Sequence, residues 1–267
     1  MKRLRLLAVL TAAVACSLSA TTLADLEGTN FSDGFVVGDK VFYNFGWTYT
    51  CSDGTITNCA TLVSQGNITG LDPSGIIVTP YTDANGEIGF TLTDPLKVQT
   101  TMGDQNNILA DITLTYDAET LSQTPLIDDV YMKVSSTLKP LDSQSPPDIS
   151  VGETVSNLAG GAQLATLTVI NPPPVLIAMS LISPPVEGIS VQKDIDLESG
   201  SGCTNGITST PVSCSSGSAV FNQATLTSIT QAVSEVPEPT FYALLALALV
   251  GLIWTNRREK RQQKAEN

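Results

Sequence analysis

Alternation of apolar and polar residues is the main structural signal in the central part of the chain. In residues 41–51 every odd position is apolar or aromatic, and the positions between are polar or glycine except Phe42. In residues 108–116 isoleucine, alanine, leucine and tyrosine occupy the even positions in the same way. Because successive side chains of a strand point to opposite faces, both segments are predicted to be β-strands with one buried face.

Further strands are predicted wherever short runs rich in threonine, valine and isoleucine occur between clusters of glycine, proline, asparagine, aspartate and serine. These runs are residues 76–79, 87–93, 130–135, 163–170, 175–181, 189–197 and 219–229. The sequence Asp-Ala-Asn-Gly at residues 83–86 separates two of them and predicts a hairpin turn.

These strands predict an all-β fold for residues 25–235, an antiparallel β-sandwich. About ten strands in about 210 residues suit one such domain. The alternative is two smaller sandwiches joined at the proline-containing segment 143–147, although the three consecutive prolines at 172–174 mark a competing loop.

The N-terminus predicts a secretory signal helix over residues 1–24. Basic residues come first, an apolar run covers residues 6–15, and small residues follow. Cleavage is expected after Ala24 or, as the alternative, after Ala20. A lipoprotein signal with Cys16 as the lipobox cysteine is a further alternative, although residues 13–16 match a lipobox only loosely.

The C-terminus predicts a membrane anchor. A short proline-containing motif precedes an apolar helix of about residues 240–255, which would span about 22 Å at about 1.5 Å per residue. Basic residues follow, and because such residues stay cytoplasmic, residues 262–267 are expected inside the cell and the main domain outside. The motif consists of Pro237, Glu238 and Pro239, and the basic group of Arg257, Arg258, Lys260 and Arg261.

This three-part C-terminus, residues 236–261, resembles a PEP-CTERM protein-sorting domain. The resemblance implies a Gram-negative bacterium that makes exopolysaccharide. It also implies an exosortase, a membrane-embedded cysteine protease or transpeptidase, as the partner that cuts near residues 237–239. Residues 38–45 resemble the strand that opens many domains carrying this tail, which implies a jelly-roll-like sandwich.

The charge pattern excludes several functions. The chain of 267 residues has no histidine, so it contains no Ser-His-Asp triad and no histidine-ligated metal site. Its formal net charge is −13, but residues 25–236 contain 23 acidic residues and five lysines, which gives that segment −18. Because phosphate binding needs a basic surface, nucleic acid is excluded as a partner.

Four cysteines remain once Cys16 is removed with the signal peptide, and they allow three pairings. An exported chain enters an oxidising compartment, where such cysteines form disulfides. Each of two pairs flanks a short loop rich in turn residues, so the expected disulfides are Cys51–Cys59 and Cys203–Cys214.

The acidic residues offer one candidate metal site. Asp194, Asp196 and Glu198 alternate within a predicted strand, so all three should lie on one face. Calcium is the cation that such a cluster would hold, with Asp128 and Asp129 as a second cluster. The alternative is an ordinary solvated outer face without a cofactor.

Taken together, these features predict a non-enzymatic protein of the cell surface or extracellular matrix with a structural or polysaccharide-associated role. It would first be held in the inner membrane with its main domain in the periplasm, and an exosortase would then process it. The alternative is a secreted glycan hydrolase, which needs two carboxylates about 5–9.5 Å apart in a cleft.

Overall fold

The computed structural model describes residues 20–84, 86–100, 106–122, 126–140, 146–174, 176–200 and 222–235. These residues are mostly in β-strands, with two short α-helices, α1 (Leu23–Leu26) and α2 (Cys59–Ser64). The strands are β1 (Thr21–Thr22), β2 (Phe35–Val37), β3 (Lys40–Ser52), β4 (Ile68–Thr69), β5 (Ile77–Thr82), β6 (Ile88–Gln99), β7 (Leu109–Thr120), β8 (Ile127–Lys139), β9 (Asp148–Asn157), β10 (Gln163–Asn171), β11 (Ile177–Val186), β12 (Gly188–Glu198) and β13 (Gln223–Glu235).

The strands form two antiparallel sheets. The first sheet has the order β1-β5-β6-β13-β8-β11, with β4 also paired to β6, and the second has the order β10-β9-β12-β7-β3-β2. From β6 to β9, and again from β10 to β13, each connection passes from one sheet to the other. The expected all-β antiparallel sandwich is therefore confirmed.

One hydrophobic core fills the space between the sheets. Buried residues of both sheets belong to a single cluster, including Phe90 and Val233 of the first sheet and Phe42 and Ile195 of the second. The alternative of two sandwiches is therefore wrong for the described residues. The proline-containing segment 143–147 instead precedes β9, a strand of the second sheet that is not among the strands predicted from the sequence.

A β-bulge in β3 changes the face that its aromatic residues present. The register with β7 shifts between Tyr43 and Gly46, and Asn44 adopts a left-handed backbone conformation with φ 55°. Because a bulge adds one residue to one strand, the residues before it change sides. Phe42, the exception to the predicted alternation, is therefore fully buried, whereas Tyr43 is only half-buried.

Residues 21–26 belong to the folded body. β1 pairs with β5, and Thr22 caps α1 by accepting a hydrogen bond from the backbone N–H of Asp25 at 3.2 Å. Leu23, the first residue of α1, is fully buried in the core.

Four aromatic rings pack at the centre of the core. Tyr116 contacts Phe42, Phe45 and Phe90, with ring centroids 5.1–6.3 Å apart. Tyr116 is 1% exposed, and its hydroxyl has no hydrogen-bond partner among the described residues. A buried hydroxyl without a partner lowers stability, because it loses its hydrogen bonds to water on folding.

We therefore predict that Tyr116→Phe raises the free energy of unfolding by about 1 kcal/mol, since it removes only the unpaired hydroxyl. Urea denaturation followed by fluorescence measures the change. Tyr49→Phe is the control, because Tyr49 is 43% exposed and should give no change. A loss of stability in Tyr116→Phe would show that the hydroxyl has a partner.

The predicted disulfide Cys51–Cys59 is present, with the two Cα atoms 5.1 Å apart. It joins the end of β3 to the start of α2 and closes the loop between them. In this loop the Asp53 carboxylate accepts a hydrogen bond from the backbone N–H of Thr55 at 2.8 Å. Asn58 caps α2 by accepting one from the N–H of Thr61 at 3.2 Å.

Removing this disulfide is predicted to lower the free energy of unfolding by about 2–3 kcal/mol, because the unfolded chain regains the freedom of a short loop. Denaturation of Cys51→Ala, Cys59→Ala and the double variant tests this. Loss of either cysteine breaks the same bond, so the three variants should be about equally unstable. Additive effects would indicate that the cysteines act separately.

Candidate functional site

The three acidic residues predicted to share one face do so on the outer side of β12. Asp194 and Asp196 are exposed and Glu198 is half-buried, whereas the residues between them point into the core. Neighbouring strands add carboxylates, since Asp111 of β7 pairs with Asp196 and Asp148 of β9 pairs with Glu198. The result is an acidic patch that spans three strands of the second sheet.

Mutual repulsion and partial burial affect the protonation of this patch. Desolvation, followed by repulsion from Asp111 and Asp194, raises the pKa of Asp196 above its usual range. Desolvation and the charge of Glu198 raise the pKa of Asp148 in the same direction. Glu198 also accepts a hydrogen bond from the Asn107 side chain at 3.0 Å.

Calcium binding by this patch stays a prediction. Among the residues that the structure describes, no group of three or more histidine, cysteine, aspartate or glutamate residues is arranged to hold a metal ion. Asp128 and Asp129, the second predicted cluster, both contact Ser234 instead, at 2.9 and 3.1 Å. They therefore connect β8 to the end of β13.

The remaining predicted site residues lie outside the described residues. They are Cys203 and Cys214, the motif Pro237, Glu238 and Pro239, and the basic residues Arg257, Arg258, Lys260 and Arg261. Within the described ranges, no helix is both long enough and apolar enough to cross a membrane.

A groove of about 480 Å³ lies where β7 and the start of β12 meet. Glu119 and Glu187 line it together with Asn157 and Pro184. The Tyr43 hydroxyl donates a hydrogen bond to the Glu119 carboxylate at 2.6 Å. Desolvation and this hydrogen bond raise the pKa of Tyr43, so its phenol remains protonated and continues to donate.

A polar cluster is buried between the two sheets. Lys193 of β12 and Gln231 of β13 are both 0% exposed, and Glu153 of β9 is 2% exposed. The Lys193 amine contacts the Glu153 carboxylate in an ion pair and donates to the Gln231 side-chain oxygen at 2.6 Å. Gln231 Nε2 donates to Glu153 Oε1 at 3.2 Å, which closes a triangle of three side chains.

From the sequence, Lys193 and Glu153 are counted only among the charged residues and Gln231 lies outside the predicted strands, although the two charged residues carry a local signal. Lys193 occupies the inward phase of β12, between Val191 and Ile195. Glu153 does the same in β9 between Val151 and Val155. A charged residue at an apolar position of an alternating strand indicates a buried polar group, which must find a partner.

The electrostatics of the cluster follow from its burial. An ammonium removed from water loses several kcal/mol of hydration, so desolvation lowers the pKa of Lys193 well below its usual range. The Met132 sulfur, 3.4 Å from the amine, adds only a weak acceptor. The arrangement thus holds an amine of reduced basicity against a carboxylate and a carboxamide.

Comparisons with known proteins add little to this geometry. No protein-family model and no curated protein sequence matches the chain. Among solved structures, the chain is similar to the enzymatically active domain of tailspike protein 4 from bacteriophage CBA120, at 10% identity and a TM-score of 0.27. The match covers 70% of this chain and 19% of that one, and a likeness this low supports no conclusion about activity.

We predict that Asp196→Asn raises the free energy of unfolding at pH 7 by about 0.5 kcal/mol, a size typical of exposed charge interactions. Its raised pKa means that the folded state binds the proton more tightly than the unfolded state. Ionisation therefore destabilises the fold as the pH rises, and the gain should vanish below the ordinary aspartate pKa of about 3.9.

Denaturation at several pH values measures this difference between variant and wild type. Asp72→Asn is the control, because hydrogen bonds from Ser74 lower the pKa of Asp72, so its neutralisation should not stabilise the fold. Added salt should reduce the gain of Asp196→Asn. A pH-independent gain would contradict the electrostatic explanation.

Proposed function

We propose that this protein is an exported, non-enzymatic component of the cell surface or extracellular matrix that acts structurally among polysaccharides. An N-terminal signal directs export, and residues 236–261 hold the chain in the inner membrane with the sandwich in the periplasm. An exosortase then cuts near Pro237, Glu238 and Pro239. The sequence patterns at the two ends support this route, and the fold supports the role of the domain between them.

The observation that carries the proposal is the Cys51–Cys59 disulfide. Disulfides persist in oxidising compartments such as the periplasm and the cell surface, and they are rare in the bacterial cytosol. The disulfide between the end of β3 and the start of α2 is therefore a feature that supports export of the protein. It also stiffens a loop that would otherwise be open to proteases.

The outer face of the second sheet supports a role among hydrated polymers. Across the sheet, Thr48, Thr113, Asp194, Gly152 and Thr168 are neighbours in one row. Short hydroxyl and carboxylate groups at exposed strand positions remain hydrated and offer both donors and acceptors to sugar hydroxyls. The connections that pass between the sheets also support the jelly-roll-like arrangement.

The folded N-terminus favours one of the two expected signal-peptide cleavage positions. Cleavage after Ala24 would remove Thr22, which caps α1, and Leu23, which is fully buried. Loss of a buried leucine costs several kcal/mol. We therefore place the cut after Ala20, so that the mature chain begins at Thr21.

A glycan hydrolase remains the second candidate, because the groove beside β7 contains two carboxylates, Glu119 and Glu187. Hydrolysis would need one of them to act as an acid and the other as a nucleophile or base. The Glu119 carboxylate already accepts a hydrogen bond from the Tyr43 hydroxyl. That contact favours a structural use of this carboxylate.

Fractionation of cells with and without the cognate exosortase tests the export route. We expect the mature protein to begin at Thr21, and its C-terminus to lie near residues 237–239 only when the exosortase is present. Replacing Pro237, Glu238 and Pro239 by alanine should leave the tail intact and the protein membrane-bound. An intact anchored tail in both strains would show that the sorting interpretation is wrong.

A glycan array with the released domain, run with and without calcium, then tests the polysaccharide association. Retention without release of reducing ends is the expected result. The matched variant Glu119→Gln should behave like the wild type, because it removes one of the two carboxylates of the groove and leaves the threonine row on the outer face unchanged. Reducing ends released by the wild type but not by this variant would establish the hydrolase instead.

A further inference from the structure

We propose that the side chains of Lys193 and Gln231 become joined by a covalent amide bond, with Glu153 transferring the protons. The bond would connect β12 of the second sheet to β13 of the first across the middle of the core. This inference rests on the buried polar cluster and does not depend on the export route. Its test also gives a result separate from those of the cell experiments.

The three side chains that would take part in this reaction contact one another. The Lys193 amine lies 2.6 Å from the side-chain oxygen of Gln231, and the carbonyl carbon is one C=O bond of about 1.23 Å from that oxygen. One oxygen of Glu153 contacts the Lys193 amine, and the other accepts a hydrogen bond from Gln231 Nε2 at 3.2 Å. A single carboxylate therefore contacts both nitrogens that would exchange on the carbon.

Burial favours the neutral form of the Lys193 amine, which is the reactive form. Only a neutral amine attacks a carbonyl carbon, and a lysine in water is almost entirely protonated at neutral pH. Desolvation lowers the pKa of Lys193 and so favours the neutral form. Glu153 is the base in contact that accepts the proton.

The fixed proximity of the Lys193 amine and the Gln231 carboxamide would accelerate amide formation. Carboxamides react slowly with free amines, but groups held in contact react as if at effective concentrations of about 10⁵–10⁸ M when the geometry is favourable. Strand pairing holds these groups in place. Glu153 is the register partner of Lys193 on the neighbouring strand of the second sheet. Gln231 lies between its two register partners in the first sheet, Phe90 and Met132.

The atoms balance without an oxidant or a cofactor. The Lys193 ammonium gives one proton to Glu153, and the neutral Nζ then forms a bond to Gln231 Cδ, which becomes tetrahedral. Glu153 passes that proton to Gln231 Nε2 and takes a second proton from Nζ, the bond between Cδ and Nε2 breaks, and ammonia leaves. The third proton of Nζ remains on the new amide, and the ammonia takes the second proton from Glu153 and departs as ammonium, so Glu153 ends as the carboxylate with which it began.

The test is a peptide map of the full chain, reduced, alkylated and cleaved after glutamate. Glu187, Glu198 and Glu235 are consecutive glutamates, so Lys193 falls in peptide 188–198 and Gln231 in peptide 199–235. We expect these two peptides to remain joined, at the sum of their masses less one ammonia. Fragmentation should place the link at Lys193 and Gln231.

Two results on the wild-type chain would overturn the proposal. One is recovery of the two peptides separately at full mass, which would leave an ordinary buried ion pair. The other is a link from peptide 188–198 to Glu153, with loss of one water. Both are measured on wild-type protein, so they do not require any variant to fold.

Variants then assign the role of each group. Lys193→Met and Gln231→Leu each remove a reacting group, and Glu153→Gln removes the proton carrier but keeps the shape, so all three should give separate peptides. Lys133→Met is the matched control, since Lys133 is exposed on β8 beside Met132 and should leave the link intact. A complete link in Glu153→Gln would overturn the role given to Glu153.

Discussion

The contact between Lys193, Glu153 and Gln231 fixes how the two sheets of this protein can meet. Lys193 extends from the second sheet into a core that is otherwise mostly apolar, and its amine contacts one group beside it and one group opposite. A buried amine without partners would cost several kcal/mol. The favourable arrangement is therefore one in which β9, β12 and β13 bring these three residues together.

This constraint extends to the register of the strands. A slip of β12 by one residue would turn Lys193 to the solvent and bring Asp194 or Gln192 into the core, where neither has the same partners. An apolar core tolerates many packings of similar energy, whereas a polar group with fixed partners selects one. The cluster thus specifies the alignment of strands that the apolar residues stabilise.

The two faces of the second sheet have different environments, one in the core and the other at the protein surface. Inward residues of β7 and β12 form the core, whereas most outward residues of the same strands are polar, chiefly threonine, aspartate and glutamate. Repulsion among the outward carboxylates lowers stability locally, which a well-packed core can offset. An acidic, hydrated exterior over an apolar core is compatible with the proposed role among polysaccharides.

Much of the architecture could be predicted from local patterns, because alternation along a strand directly reflects its two environments. Residues 108–116 were predicted to alternate and do so, and the short loop between Cys51 and Cys59 indicated the disulfide that forms. Prediction failed where one residue breaks a pattern. Glu153 interrupted the alternation of β9, so that strand was missed, and the bulge at Asn44 exchanged the faces of Phe42 and Tyr43.

The sequence by itself determined the all-β class and the acidic composition without histidine, and the proposals of export and sorting rest on its two ends alone. These properties depend on composition or on residues close together in the chain. Only the tertiary structure decided that Lys193 meets Glu153 and Gln231, which lie 40 and 38 residues away. Connections that pass from sheet to sheet create these contacts, and a local pattern carries no information about which distant strands will face each other.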